Sequence, residues 1–192
     1  MGYAPFVSRC TKVHGVPTLT ASFRLRHTFF VRPGELRCAE WSEFNFASAV
    51  WVIPAQRMKM KRPHRVPLSS QVIATLGYLG RITGAAKLVF PSTRSVLRPL
   101  SENTLRRLGY GPDQVTVNGF RTTASTRLNE MGRWNPDAIE RQLAHQEEDD
   151  ARRAYMHGAD FWTERVAMMQ AWSDYLDDPR EHGKVMPLVK TG

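Results

Sequence analysis

Apolar positions along this chain fall into helical and extended runs, separated by proline, glycine and basic stretches. Residues 1–17 show no period and are punctuated by Gly2, Pro5, Gly15 and Pro17, so they read as an irregular segment. Leu19, Phe23, Leu25, Phe29 and Phe30 predict a short helix over 18–31 with a broken apolar face. Pro33 suits the first turn of a following helix with Leu36 and Ala39 on its inner side, which places Arg32 at that helix's N-terminus. Residues 49–54 and 64–68 read as two strands, and the basic stretch 56–63 between them as a hairpin tip. Ser69 and Ser70 precede a helix through Val72, Ile73, Leu76 and Leu79 and serve as its caps. Residues 88–90 suggest a third strand, and 91–99 a basic loop with Arg94 and Arg98.

Ser101 opens a short helix with Leu105 and Leu108. Phe120, Ala124, Leu128 and Met131 then recur at helical spacing, with Asn118 as cap. Asn118 and Arg121 are three apart, so an amide and a guanidinium share one face at the positive end of a helix. Such a place suits a phosphate. Asn135-Pro136-Asp137 starts another helix, with Ile139 and Leu143 inward and an end near His145. Four acids at 147–150 lead into a helix holding Tyr155. A last amphipathic helix, 162–176, presents Val166, Met169, Trp172, Tyr175 and Leu176. Its Met168, Met169 and Trp172 pack either inside the chain or on a neighbouring subunit.

Composition narrows the class. A chain of 192 residues holds one domain, or one with a small appendage. The net charge of +9 is unevenly placed: residues 1–133 carry 20 Lys/Arg against 6 Asp/Glu, and residues 134–192 carry 7 against 12. A basic block of that size points to a polyanion, most often nucleic acid. The acidic remainder suits a face turned away from DNA or docked on the basic part. No apolar run approaches the roughly 20 residues of a membrane helix, and no signal-peptide core is present. Cys10 and Cys38 form no disulfide framework, so a reducing, cytoplasmic setting is expected. The six histidines show no metal-ligand spacing.

The ordered set decides the reading. Arg-Pro-Gly-Glu-Leu-Arg from Arg32, a basic hairpin, Gly119-Phe120-Arg121, Leu143-Ala144-His145 and Ala154-Tyr155 resemble the catalytic domain of a tyrosine recombinase, and more narrowly a phage integrase of the P4 type. The resemblance implies a mixed α/β (α+β) fold over 18–178, mostly helical with a small antiparallel sheet, and a tail over 179–192. It implies site-specific cleavage and rejoining of double-stranded DNA at attachment sites, by a homo-tetramer, with neither metal nor cofactor. Tyr155 matches the nucleophile that forms a 3′-phosphotyrosyl link and conserves the phosphodiester energy. Arg32 and Arg121 match the two arginines that clamp the phosphate. Lys59 matches the hairpin lysine that protonates the leaving 5′-oxygen, with Lys61 as its rival. His145 matches a phosphate-binding histidine, and Glu35 an acid that orders the site. Lys61, Arg62, Arg65, Arg94 and Arg98 are the expected DNA-contacting side chains.

Each residue alone has a plainer reading. Tyr155 packs on its helix, His145 caps one, Arg121 pairs with Glu130 or another surface acid, and the hairpin lysines only confer solubility. Departures from the family pattern sharpen the alternative of a catalytically silent DNA-binding remnant. Asn118 stands where the family usually has His, and an amide cannot shuttle a proton near neutral pH. The helix from Ser101 is about one turn short, roughly 5 Å of rise. The core-binding and arm-binding domains expected upstream do not fit within the chain, so an excised fragment or a truncated prophage product is expected. A type IB topoisomerase would share the chemistry without the site specificity.

Overall fold

The computed structural model describes residues 17–59, 61–101, 119–144 and 160–178. Helix α1, Pro17–Phe29, starts one residue before the expected position. Ala21, Leu25 and Phe29 form its buried stripe. It ends at Phe29 because Phe30 takes a left-handed backbone, φ 59°, which cannot continue a helix. The turn delivers Arg32 to the N-cap of α2, Pro33–Arg37, as the Pro33 signal predicted.

A three-stranded antiparallel sheet follows, in the order β1 (Phe44–Asn45), β2 (Val50–Ile53), β3 (His64–Pro67). Trp51 pairs with Val66 and Ile53 with His64, so these four share the inner face. Val52 and Arg65 oppose each other on the outer face. Helix α3, Ser70–Thr83, is capped by Ser69, whose hydroxyl accepts from Val72 N at 3.4 Å. Gln170 from the last helix also accepts from Ser70 N, at 3.0 Å.

Residues 88–90 correct an expectation. They form no strand, and β1 takes the third place instead. Val89 N donates to Ala39 O and Trp41 N to Lys87 O, so this backbone is satisfied by the loop after α2. Residues 91–99 are not a loop either. They form a hairpin, β4 (Pro91–Ser92) with β5 (Ser95–Pro99).

Helix α4 is Gly119–Glu130, α5 is Pro136–Leu143 and α6 is Trp162–Asp177. The Asn135 side chain accepts from Asp137 N at 2.9 Å, which is the expected cap-then-proline start. In α6, Met168, Met169 and Trp172 are fully buried within this chain, so the intramolecular alternative holds. Val166 was expected inward but is 43% exposed, because the stripe runs through 165, 168, 169, 172 and 176.

Two cores result. One gathers α1, the sheet and α3 around Trp51, Leu76 and Leu79. The other gathers α4, α5 and α6 around Leu128, Ile139 and Trp172. Phe29 packs against Trp51 at 5.1 Å in the first, and its neighbour Phe30 against Trp172 at 5.3 Å in the second. The turn before Arg32 is thus wedged between both cores. Among the described residues, no helix is long and apolar enough to cross a membrane.

Gly132 ends the turn after α4 with φ 62°, and a Cβ added there would meet nothing within 4 Å, so its requirement is purely one of backbone. Gly132→Ala is expected to cost roughly 1 kcal/mol, lowering Tm by about 2–4 °C in a thermal melt.

Candidate active site

Arg32 is fixed twice by one carboxylate. Glu35 accepts from Arg32 N at 2.6 Å and from its Nη1 at 3.1 Å. The acid is buried, the guanidinium partly open. Glu35 therefore fixes the backbone and side chain of Arg32 together.

Arg57, which lies in the stretch read from sequence as a basic hairpin tip, faces inward. Its guanidinium donates to Glu35 O at 3.4 Å, to Cys38 O and to the Glu43 carboxylate. Glu43 also accepts from Trp51 Nε1 at 3.0 Å. The start of the β2–β3 connection is therefore tied to the helix that carries Glu35. Met58 is buried as a second anchor, and Lys59 beside it is exposed. Lys61 N donates to Met58 O at 3.1 Å in a tight turn, with Lys61 itself left-handed at φ 52°. Lys59 and Lys61 remain the two candidates for proton donor.

Arg121 occupies the first turn of α4 and is 9% exposed. It donates through Nη2 to Leu143 O, the last carbonyl of α5. Burial first, then the positive charge of Arg32, lowers its pKa from the ordinary arginine value. Glu35 and Glu140 partly offset this. The two candidate clamp arginines are thus close enough to repel, and an anion between them would relieve that repulsion. The plainer pairing of Arg121 with Glu130 is not what forms, since Glu130 binds Arg127 at 2.9 Å.

Arg165 was not singled out from sequence. It is 1% exposed and donates to Gln142 Oε1 through Nε at 3.1 Å and Nη2 at 2.9 Å, and to Asp160 Oδ1 at 2.8 Å. It also donates to Arg65 O on β3. Burial pushes its pKa down to about 10 against the opposing pull of Asp160, so it stays a cation at neutral pH. Its signal was available, because residue 165 lies on the same helical stripe as Met168, Met169 and Trp172. Gln142 likewise sits on the buried stripe of α5.

His64 is buried, with Nε2 at 3.2 Å from Gln142 O. Desolvation first, then Arg165, lowers its pKa from 6.5 to about 3; Arg141 and Arg121 act in the same direction and the Gln142 carbonyl opposes. The ring is therefore neutral at pH 7, and Nε2 carries the proton that this carbonyl accepts.

The expected DNA-contacting residues divide. Arg62, Arg94 and Arg98 are exposed, as are Lys59 and Lys61. Arg65 is half engaged: it binds Asp160 at 3.1 Å and its guanidinium lies 4.1 Å from the centre of the Trp162 ring. Asn118, His145 and Tyr155 lie outside the described residues, as do the four acids at 147–150 and the helix expected after Ser101. Among the described residues, no group of three His, Cys, Asp or Glu is placed to hold a metal ion.

The profile of the phage integrase family matches residues 12–160. The chain belongs to that family. It is 41% identical over 192 residues to the integrase of Enterobacteria phage P4, covering 91% of this chain and 44% of that protein. Prophage integrase IntA of Escherichia coli K12 is 38% identical over 174 residues, covering 85% and 41%. This integrase-family chain spans less than half the length of the curated relatives it matches. Its fold is similar to that of the XerA recombinase, at TM-score 0.55 and 16% identity over 79% of this chain and 58% of that one. It is also similar to the Tn1549 transposon integrase in complex with circular intermediate DNA, at TM-score 0.58 and 15% identity over 82% and 64%. The mixed α/β tyrosine-recombinase fold and the P4-type resemblance expected from sequence are both found.

The depressed pKa of His64 has a thermodynamic consequence. The folded state keeps the ring neutral, whereas the unfolded chain protonates it below about 6.5. Its contribution is complete above that pH and is lost progressively as pH falls toward 3. Wild-type Tm is expected to drop more steeply between pH 7 and about pH 4 than Tm of His64→Gln, the difference corresponding to about one proton taken up on unfolding. Parallel melting curves across that range would remove His64 as a source of acid sensitivity.

Proposed function

We propose that this chain cleaves and rejoins double-stranded DNA at specific sites, in phage or prophage integration or excision. What supports the reading is the setting of two arginines: Arg32 is held by Glu35, and Arg121 is buried on Leu143 O, with the charge of Arg32 among the influences on it. Two guanidiniums that repel one another suit a phosphodiester that gains charge in its transition state.

In the proposed step the Tyr155 oxygen attacks phosphorus and yields its proton to base or solvent. The bond from phosphorus to the 5′-oxygen breaks, and that oxygen takes a proton from Lys59, with Lys61 as the other candidate. The products are a 3′-phosphotyrosyl link and a free 5′-hydroxyl. Attack by a 5′-hydroxyl on the link reverses the sequence, so no external energy is required. Asn118 and His145 donate hydrogen bonds to the phosphate, and Arg62, Arg94 and Arg98 hold the flanking backbone by charge. The working form is a homo-tetramer on DNA in the cytoplasm. The Tn1549 integrase bound to circular intermediate DNA supports a DNA partner. A silent DNA-binding remnant is the weaker reading, because surface charge suffices to hold DNA and gives no reason to bury Arg121.

Covalent capture tests the proposal. Nicked duplexes spanning the DNA that flanks the gene are expected to give an SDS-stable protein–DNA band, lost in Tyr155→Phe with DNA affinity nearly unchanged. An undiminished band in that variant would remove Tyr155 as nucleophile, and no band from a folded, DNA-binding wild type would favour the remnant. Asn118→His is expected to raise single-turnover cleavage, up to a factor on the order of 10² if proton transfer limits the wild type.

A further inference from the structure

Gln142 stands where the elements around the arginine pair meet. It is 0% exposed, so it cannot touch DNA. Its side-chain oxygen accepts twice from Arg165, at 3.1 and 2.9 Å. Its side-chain nitrogen donates to Phe29 O at 3.3 Å. Its backbone carbonyl takes His64 Nε2 at 3.2 Å. The next carbonyl along, Leu143 O, is the one that holds Arg121.

An amide is asymmetric, with one end that only accepts and one that only donates. Two donors from Arg165 on the oxygen leave the nitrogen a single sensible direction, toward Phe29 O. Phe29 closes α1, three residues before Arg32. Arg165 is itself aimed by Asp160 Oδ1 and by Arg65 O. The chain of contacts thus runs from β3 and α6 through one amide to both arginine-bearing segments. Filling the space would need only an apolar side chain of similar volume, whereas this arrangement uses both ends of the amide.

We propose that Gln142, oriented by Arg165, is a positioning residue for the phosphate clamp. It holds the end of α5, and with it the carbonyl that seats Arg121, in register with the α1–α2 turn that presents Arg32. This rests on Arg32 and Arg121 being the clamp. Small displacements matter at such a site, since misplacing a reacting group by about 1 Å can cost on the order of 10²-fold in rate.

The test uses the full chain and inorganic phosphate at low salt, followed through arginine Nε–H resonances by NMR, with Arg121→Gln marking which signals report the clamp. Gln142→Glu keeps the shape and the acceptor for Arg165 but removes the donation to Phe29 O. It is expected to weaken phosphate at those signals roughly tenfold, about what one charge-assisted hydrogen bond supplies, and to lower Tm while still folding, because the Phe29 carbonyl loses its donor. Arg165→Lys, which cannot reach Gln142, Asp160 and Arg65 together, is expected to show the same loss. Leu76→Ala, which destabilises the other core, is expected to keep wild-type phosphate affinity. Wild-type affinity in a folded Gln142→Glu overturns the proposal. If that variant does not fold, wild-type affinity in Arg165→Lys overturns it instead. No phosphate response at Arg32 and Arg121 in the wild type would refute the clamp itself, and the positioning role with it.

Discussion

Removing a guanidinium from water is among the costliest burials a folding chain undertakes. This chain does so with Arg121 and Arg165, and the two are treated differently. Arg165 is met by a carboxylate, Asp160, as well as by carbonyl oxygens. Its charge is largely answered inside the fold, and its work is to hold α5, α6 and β3 together. Arg121 is seated on a carbonyl among the described residues, with carboxylates acting on it only at longer range and Arg32 opposing them. A carbonyl satisfies a donor without cancelling its charge. Among the described residues Arg121 thus meets a carbonyl rather than a carboxylate directly, an arrangement that suits the proposed phosphate site.

Both cores serve that arrangement. Phe29 and Phe30 are neighbours in sequence yet belong to different cores, one beside Trp51 and the other beside Trp172. A turn clamped from both sides has little freedom, and Arg32 leaves directly from it. The hairpin with Lys59 is anchored by different means, through Arg57 and the buried Met58. The exposed Lys59, a candidate proton donor, thus follows directly on a buried anchor.

Three of the five left-handed non-glycine residues among the described residues lie in or beside these segments. Phe30, Ala144 and Phe161 all adopt left-handed conformations, at φ 59°, 50° and 47°. Each such residue costs on the order of 1–3 kcal/mol unless its surroundings impose it. Phe30 lies two residues before Arg32, Ala144 directly before His145 and Phe161 directly after Asp160. Sharp changes of direction there bring three helices' ends toward one region, and burial of Phe30 against Trp172 helps offset the cost.

The local code was legible where a residue's neighbours in sequence decide its state. Pro33 set the start of α2, Ser69 and Asn135 capped their helices, and the 3.6-residue stripe exposed α6. The family's ordered motifs marked the family itself, because spacing and residue type survive without knowledge of packing. What sequence could not supply was which partner each polar group would find. Residues 88–90 look like a strand, yet their backbone binds the loop after α2. Arg57 looks like one more charge of a basic hairpin tip, yet it turns inward to Glu43. Gln142 and Arg165 sit on apolar stripes where period alone marks them only as exceptions. Their meaning depends on contacts between residues 23 and 113 positions apart, and such pairings are settled only when the tertiary fold closes.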